Sequence, residues 1–576
     1  MAVSPTYPGV YVSETTAVPH NVTPATTNLT AFIGDFPKGS TTEAVYVGSW
    51  GAFVQEFGAI QPGSSYAHYA VNQFFLNGGI GAWIVRIVAG ATPASVTIAP
   101  GQSASTSLQL SASSPGVWGR QLTVMFQPSG PAAAPSTTMS DLIVAPVATT
   151  ANPNPAPLET IAGIQILNAD DTPVAASTIA AIINNRSNYL VASTPPPNAA
   201  DDTKPADDTT PTDDSKPADD TTPADDTKPA DDTTPAADAT PKPTPLTGGS
   251  DSTWDSDTTY GNAVVAELQQ GARLDLLAPN VFNLMCLPDL PVFPTETSTV
   301  FTAAHEFCAQ RQAFLILDPP PPSAAVPSTV TPTVDAIGAP GSKGLATLLT
   351  TWGTDLLTQE NTSAAAYYPW VEITDPVSGL PKLLPPSGAI AGVYATTDTN
   401  RGVWKAPAGV EAVVGGINAL ADTTITDDAN GQLNVAGINV LRTFPLYGNV
   451  VWGARTLAGS TLGGNAFTYI SSRRLADFIE QSLQQSLKWA VFEPNGPALW
   501  SSIQIEVTTF MAGLFGAGAF AGASAAAAYS VACDASTTSP TDMLLGKVNV
   551  NVAFAPVDPA EFVMLNVQID AASAAS

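Results

Sequence analysis

Between residues 200 and 235 a hexapeptide runs six times, as ADDTKP, ADDTTP, TDDSKP, ADDTTP, ADDTKP and ADDTTP. Proline at every sixth position removes a backbone donor and breaks any helix, so neither a helix nor a strand ladder can run through the stretch. It holds twelve Asp and three Lys and nothing that could build a core, which reads as a solvated tether. The flanks STPPPNAADD and TPKPTPLTGGSDS extend the expected tether to residues 193–252. The Asp pairs do not make a calcium loop, which needs a glycine turn and closely alternating oxygen ligands. The tether is therefore a surface insertion without chemistry of its own, and the fold has to be read from the segments on either side.

Those segments belong to a chain of 576 residues that is 44 % hydrophobic but only 12 % charged, with 44 Gly and 52 Pro. The charged share is about half the usual one, and the Gly and Pro content favours strands, turns and loops. The net charge of −29 repels nucleic acid and anionic lipid, and no nucleic-acid partner is expected. Cys286, Cys308 and Cys533 form no CxxC pair, and His20, His68 and His305 lie far apart, so no zinc framework and no cofactor site can be read. His305, Glu306 and Cys308 are neighbours in AHEFCAQR, but HExxH is absent, and a helix with a buried thiol is the expectation. Unpaired cysteines suit a reducing compartment. The first residues, MAVSPTYPGVYVSE, have neither a basic nor an apolar signal region, so assembly in the cytoplasm is expected. The uncharged run at 510–533 is rich in Ala and Gly, and it reads as a buried helix, a glycine corner and a strand rather than a membrane span.

Period and apolar pattern divide the rest. Residues 91–192 carry short alternating runs such as ASVTIAP and RQLTVMFQ and read as a β-rich module. Residues 253–400 alternate helical patterns with continuous apolar runs, VFNLMCLP and AFLILDPP, which implies a parallel sheet covered on both faces. The clearest helix is 472–490, where Leu475, Phe478, Ile479, Leu483 and Leu487 share one face and Arg473, Arg474 and Lys488 lie at the ends. Two alternating strands follow, KVNVNVAFAP and EFVMLNVQID. The extended run of Val10, Tyr11 and Val12 and the far strand of Val563, Leu565, Val567 and Ile569 lie near the two chain ends. Two readings stand for them: they fold back on their own sheet, or they add to the sheet of another chain.

Few residues are placed for catalysis. Asp318 ends the apolar run LILDPP, where α/β enzymes often hold an acid, and an enzyme reading would put a pocket around it. There is no G-x-S-x-G elbow, no P-loop and no dinucleotide fingerprint, and Ser387 sits in a Pro-Ser-Gly turn, so the reading is that of a non-enzyme. The loop NRGVWKAPAG packs Arg401, Trp404 and Lys405 between glycines and proline and reads as a stiff turn, with Trp404 as packing anchor.

Collinear stretches then carry a resemblance to the contractile tail sheath proteins of phages and bacterial injection systems. They are YPGVYVSE, the segment AFIGDFPKG to VQEFG at 31–58, YAVNQFFLNGGIGAWIVRIV at 69–88, AAAYYPWVEITDPVSG at 364–379, PPSGAIAGVYATTDTNRGVWKAPAG at 385–409, INVLRTFPLYGNVVWGARTL at 438–457, and RRLADFIEQSLQQSLKWAVFEPNGPALW with the closing strands. The resemblance implies a multidomain α/β and α+β fold. Residues 1–30 would be an N-terminal linker arm, 31–90 the first part of the sheath core, 91–192 a β-rich outer insertion, and 193–252 the tether. Residues 253–400 would form an α/β middle domain of subtilisin-like topology, 401–560 an α+β C-terminal core, and 561–576 a C-terminal strand and tail. It further implies stacked hexameric rings around an inner tube, contraction without nucleotide hydrolysis, and arms that exchange strands between protomers. Partners would be further copies of the chain, the tube protein, baseplate and terminal cap proteins. Arg473, Arg474 and Lys488 become candidates for facing an acidic tube. A static shell built with the same arms is the alternative.

Overall fold

In the computed structural model the described residues are 21–100, 107–131, 134–195, 242–254, 257–275, 277, 282–293, 297–322, 362–460 and 466–561. The arm residues Val10, Tyr11, Val12, Val563, Leu565, Val567 and Ile569 and the hexapeptide repeats lie outside them. The chain divides into two compact units, one of residues 1–89 and 253–576, the other of residues 90–252.

The larger unit is built on an eight-stranded sheet. Along the chain come β1 (Thr30–Gly34), β2 (Val45–Val47), α1 (Trp50–Phe57), α2 (Tyr66–Leu76) and β3 (Ala82–Arg86). After the smaller unit follow α3 (Asp257–Glu267), β4 (Leu284–Cys286), α4 (Thr297–Gln310), β5 (Phe314–Leu317), β6 (Ala364–Tyr368), α5 (Ser387–Arg401), α6 (Asp427–Val435), β7 (Ile438–Phe444) and β8 (Gly448–Val451). The strand order is β8-β7-β6-β5-β4-β1-β3-β2. The strands from β7 through β3 run parallel, and β8 and β2 close the edges antiparallel. The parallel sheet is thus wider than the run 253–400 that suggests it, because β1 and β3 come from before the smaller unit and β7 and β8 from beyond residue 400.

Strand periodicity sorts the core residues between the two faces. Ala31, Ile33, Met285, Leu315 and Val440 meet α3, α4 and α6 through Val264, Phe301, Phe307 and Leu433. Phe32, Leu284, Cys286, Ile316 and Leu441 meet α1, α2 and α5 through Phe53, Phe74 and Tyr394. Both faces are covered, so β4, β5 and β6 read as unbroken buried runs. Helices α2 and α5 touch backbone to backbone. A Cβ on Gly388 would stand 2.2 Å from the Ala70 carbonyl oxygen, and one on Gly392 2.6 Å from that of Phe74.

The C-terminal part adds α7 (Ile470–Ser486), α8 (Pro497–Gly516), β9 (Tyr529–Ala532), the short α9 (Pro540–Leu544) and β10 (Asn551–Phe554). The uncharged run around 510–533 is the end of α8, a corner at Gly518 and Gly522 with φ of +84° and +132°, and β9. No helix among the described residues is long and apolar enough to cross a membrane. β9 and β10 pair antiparallel in a sheet of two strands.

The smaller unit is β-rich, with two four-stranded antiparallel sheets and the helix Ala176–Arg186 over one core. Thr244–Pro245 pairs with Leu122–Pro128, and Thr247–Ser250 with Thr92–Ile98. These strands correct the tether boundary at 252, because backbone pairing orders the chain from Thr244 onward. PLTGGS reads as linker by composition but serves as an edge in each sheet.

Candidate functional site

Helix α7 is buried on two sides. Its apolar face, Leu475, Phe478 and Ile479, packs on Leu499, Trp500, Ile503 and Phe510 of α8. A second side carries Arg474, Asp477 and Gln481, and Ser471, Ser472 and Ser482 lie on or beside the apolar face, all buried as well. Buried polar groups need partners, and those of α7 find them in segments distant in sequence.

Arg474 makes a two-pronged pair with Asp398 of α5, at 2.9 and 2.6 Å, and donates to the Thr27 carbonyl at 2.8 Å. Its guanidinium also lies 4.9 Å from the centre of the Tyr394 ring. The two side chains are 4 % and 1 % exposed, so the pair is enclosed by protein. Two turns on, the Gln481 amide accepts from Asn283 Nδ2 at 2.8 Å and donates to the Gln312 carbonyl at 2.8 Å. Burial pushes Asp477 up to about 6, and Arg473, which donates to it at 2.5 Å, opposes the rise. At the far end Ala25 N donates to Ser482 Oγ and Thr23 N to Ser486 Oγ, both at 2.9 Å. The segment that leads into the first strand is therefore fastened along α7.

The other end of the chain meets the start of the same helix. Ser472 Oγ donates to Asp558 at 2.9 Å. Arg455 donates to both oxygens of Glu561, at 2.9 and 2.6 Å, and Asn434 and Tyr469 donate to the same carboxylate at 2.7 and 3.2 Å. Burial pushes Glu561 up, but these donors outweigh it and leave the group below its ordinary range. Helix α7 thus holds residues 23–27 along one flank and Asp558 at its start, while Glu561 is held by Arg455, Asn434 and Tyr469.

The arginines expected at a tube-facing surface are held by their own chain. Arg474 is enclosed with Asp398, and Arg473 pairs with Asp477 and stacks 4.3 Å over Phe467. A helical face is assigned by period, and both arginines fall on a side that period alone marks as polar and exposed. The packing of α7 against Asn283, Gln312 and Asp398 covers that side. Lys488 is exposed. Asp398, Asn283 and Glu561 escape sequence reasoning, because a lone Asp in ATTDTN or Asn in VFNLM gives no local sign of a partner far along the chain.

The turn after α5 is held by contacts of its own side chains. Gly402 ends the helix at φ +90°, and a Cβ there would stand 2.4 Å from the Trp404 ring. Arg401 pairs with Glu411 at 2.6 Å, and Lys405 Nζ donates to the Ala406 and Ala408 carbonyls at 2.9 and 3.2 Å. All three side chains are engaged within the turn or next to it.

Asp318 and Asp289 sit at the C-terminal ends of β5 and β4. Asp318 Oδ1 accepts from Ser387 N at 2.6 Å, and Asp289 Oδ1 from Ala67 N at 2.9 Å, so each carboxyl caps the start of a helix. Burial pushes both up to about 7. Ser387 is fully buried beside Asp318. The cavity at Pro320, Tyr368, Trp370 and Asp422, the next feature along the chain, holds about 20 Å³, room for little more than a water. Burial lowers His68 to about 4, and its Nε2 lies 3.0 Å from the Gly58 carbonyl. These groups are buried and hold the fold. Cys308 on α4 is buried with its sulfur 3.8 Å from that of Met285, and His305 and Glu306 flank it without forming a metal cluster among the described residues.

Comparison with known proteins places this architecture. The phage tail sheath protein central domain matches residues 272–457, and the phage tail sheath C-terminal domain matches residues 464–570. A tail sheath protein of Vibrio phage KVP40 is 30 % identical over 129 residues, 22 % of this chain and 19 % of that protein. A putative prophage major tail sheath protein of Pseudomonas aeruginosa is 24 % identical over 196 residues, 34 % of this chain and 48 % of the relative. The matches therefore span from about a fifth to about half the length of these curated relatives. Among solved structures, a contracted PVC sheath complex of an extracellular contractile injection system superposes with a TM-score of 0.53 at 18 % identity over 99 % of both chains. A sheath tail protein of Listeria innocua gives 0.57 at 12 % identity over 94 % of both. The chain belongs to the contractile tail sheath family.

Proposed function

We propose that the protein is the sheath protomer of a contractile injection machine. It polymerises as stacked hexameric rings around an inner tube and shortens to drive that tube through a target envelope. The observation that carries this reading is the pair of family matches over 272–457 and 464–570 on a fold that superposes end to end with contracted sheaths. Parallel strands with helices on both faces support a subtilisin-like topology for the middle domain. Helix α7 supports the linkage: it holds residues 23–27 and Asp558, so a pull on either of these segments reaches one buried helix. Among the described residues the sheet of β9 and β10 has two strands, a size that is marginal in water and gains from added strands. The arms with Val10, Tyr11, Val12, Val563, Leu565, Val567 and Ile569 are the strands we assign to that exchange.

In this reading the unit of residues 90–252 lies outside the cylinder, the particle assembles in the bacterial cytoplasm, and the inner tube, baseplate and terminal cap proteins are the further partners. Lys488 is the cation of α7's end left available to a tube. The work of contraction comes from contacts between protomers, and the protein is not an enzyme. Electron microscopy of particles from the native source, with and without denaturant or acid, tests the proposal. Striated cylinders in two lengths, the shorter ones wider with a protruding tube, are expected. A single unvarying filament would establish a static shell instead.

A further inference from the structure

His68 stands on the first turn of α2, fully buried, and aromatic rings box its side chain. Phe53 lies 5.1 Å from the imidazole, centre to centre, and Phe36 and Trp50 lie at 6.0 Å, all edge to face. Nε2 meets the Gly58 carbonyl at 3.0 Å, and Nδ1 has no hydrogen-bond partner among the described residues. A carbonyl only accepts, so Nε2 carries the proton of the neutral ring and Nδ1 is a bare acceptor. A second proton on Nδ1 would create a buried cation whose new donor meets no acceptor. The charged groups of the surrounding segments are engaged elsewhere. On the loop after β1, Asp35 accepts from Trp254 Nε1 at 2.9 Å and Lys38 donates to the Gln55 carbonyl at 2.8 Å. Glu56 of α1 is exposed and acts on Lys38, Asp289 accepts from Ala67 N, and Asp375 and Lys382 both meet Tyr69. Tyr66 and Tyr69 of α2 are pushed up to about 12 by burial and stay neutral. Burial is thus what sets the low proton affinity of His68, and the Gly58 carbonyl opposes it only in part.

The two helices that meet at this ring are held unequally. Helix α2 is pressed backbone to backbone on α5 at Gly388 and Gly392, Asn77 Oδ1 at its end accepts from Gly415 N at 2.7 Å, and Tyr69 donates to Asp375 at 3.1 Å. Helix α1 has eight residues, and its outer side, with Gly51, Gln55 and Glu56, faces solvent. Inward it offers Phe53 and Phe57 to Phe36, and Phe53 and Trp50 to His68. Its last turn is closed by Gly58, whose carbonyl is the one that holds Nε2. The strand that leads into it, β2, has three residues and lies at the edge of the sheet. A charged ring in this box is therefore relieved most readily by movement of α1, which leaves α2 and the sheet in place.

We propose that protonation of His68 releases α1 from α2, so that this corner of the larger unit opens in acid and shows Phe36, Phe53 and Phe57 to solvent while the sheet keeps its order. The device belongs to the single protomer and goes beyond the sheath reading. Its sign follows from which state binds the proton more tightly. The imidazole of the opened corner has its ordinary value of 6.5, against about 4 in the closed one. Opening therefore gains as pH falls below about 6.5 and levels off below about 4, by about 300-fold in all. Asp289 and Asp318 act in the opposite direction. Burial pushes both up to about 7, so the folded sheet takes up protons that the unfolded chain would not, and acid makes it firmer. Opening of the corner is in this way distinct from acid unfolding of the whole unit.

Amide hydrogen exchange of the full chain, read by mass spectrometry at about pH 7 and about pH 4, tests the proposal. The uptake of each peptide is normalised to that of the same peptide in the denatured chain, which removes the pH dependence of exchange itself. In the wild type the protection of residues 50–57 is expected to fall about a hundredfold between the two conditions, while residues 284–286 and 314–317 keep theirs. In His68→Gln, whose side chain stays neutral and still offers an N–H, residues 50–57 are expected to be equally protected at both. A wild type with no such fall would overturn the proposal. So would an equal fall in the variant, or a fall that takes the two sheet segments with it. Circular dichroism and the exchange pattern at about pH 7 establish that the variant is folded. Should it not fold, exchange of the imidazole C2 hydrogen of His68 in the wild type decides instead. A midpoint well below the ordinary 6.5 upholds the closed box, and a midpoint at that value overturns it.

Discussion

Replacing Arg474 by Met removes one half of the enclosed pair with Asp398. The carboxylate left behind is 1 % exposed, and water cannot reach it to replace the lost guanidinium. Breaking a buried pair from one side costs about 3–5 kcal/mol, because the survivor is an uncompensated charge. The Thr27 carbonyl also loses its 2.8 Å donor, which adds about 1 kcal/mol. A loss of roughly 4–6 kcal/mol in the unfolding free energy of the larger unit is therefore expected in urea titrations. The double variant Arg474→Met with Asp398→Leu removes both charges and fills the space, so it should return to within about 2 kcal/mol of the wild type. Limited proteolysis near residues 23–27 should follow the same order, fastest in the single variant, since Thr27 is one of the bonds that fasten that segment. A single variant within 1 kcal/mol of the wild type would refute the enclosure of the pair. Equal damage in single and double variants would show that packing of the arginine stem, and not its charge, holds α7.

Asp318 has a folded-state pKa of about 7 against an ordinary 3.8, so the native state binds the proton more tightly than the unfolded state. The stability it contributes is full below about pH 4, falls as pH rises to about 7, and is constant above that, with a total of up to about 4 kcal/mol. Asp318→Asn should therefore flatten the fall of the melting temperature between pH 4 and 7 and melt above the wild type at pH 8, and a lower melting point there would contradict it. Gly388→Ala puts a methyl 2.2 Å from the Ala70 carbonyl and should cost about 1–3 kcal/mol by forcing α2 from α5, seen as a lower urea midpoint. Glu561→Gln breaks the pair with Arg455, whose side chain is 6 % exposed, and should speed proteolysis near residue 558 while Leu446→Ser leaves it unchanged.

The sequence shows the strands best where the sheet is most enclosed. FLIL and AAAYY are buried at every position, and an unbroken apolar run has few other places to go. It shows α7 equally well, since Leu475, Phe478 and Ile479 recur at the helical period on a face that meets α8. What α7 does with its other face is hidden. Arg473 and Arg474 look like surface charges, and only the pairing of Asp398 and Asp477 with them turns that face inward. Charge in the sequence marks solvent exposure on average, and it fails where a partner distant along the chain neutralises it. The tether boundary fails for a related reason. Thr244–Pro245 and Thr247–Ser250 have no alternation of their own and become strands because Leu122–Pro128 and Thr92–Ile98 offer them an edge.

The sheets of the smaller unit bring their edges to an end in distinct ways, and this bears on how such a chain can polymerise without clumping. An open strand edge invites any other strand. At one edge Leu246 N donates inward to the Leu122 carbonyl, so the alternate residues Pro243 and Pro245 face outward and have no N–H to offer. At another, the Asn184 side chain donates to the Ala192 carbonyl at 3.0 Å and accepts from the Ala192 N–H at 2.7 Å, occupying the strand as a neighbour would. Glu159–Gln165 is bent at Gly163, with φ +69° and an irregular register against Met139–Pro146, and Gly248 and Gly249 twist the remaining edge. Each device makes strand addition unfavourable by a different route. In the larger unit β8 is lined by the segment 409–414 through Gly409 N to Val451 and Val414 N to Asn449, and β2 has only three residues. The β9–β10 sheet receives no such proline or glycine device within its strands. Under the proposed strand exchange, edges closed in these ways leave fewer places where a neighbour's strand can add, and the β9–β10 pair is one that stays open among the described residues.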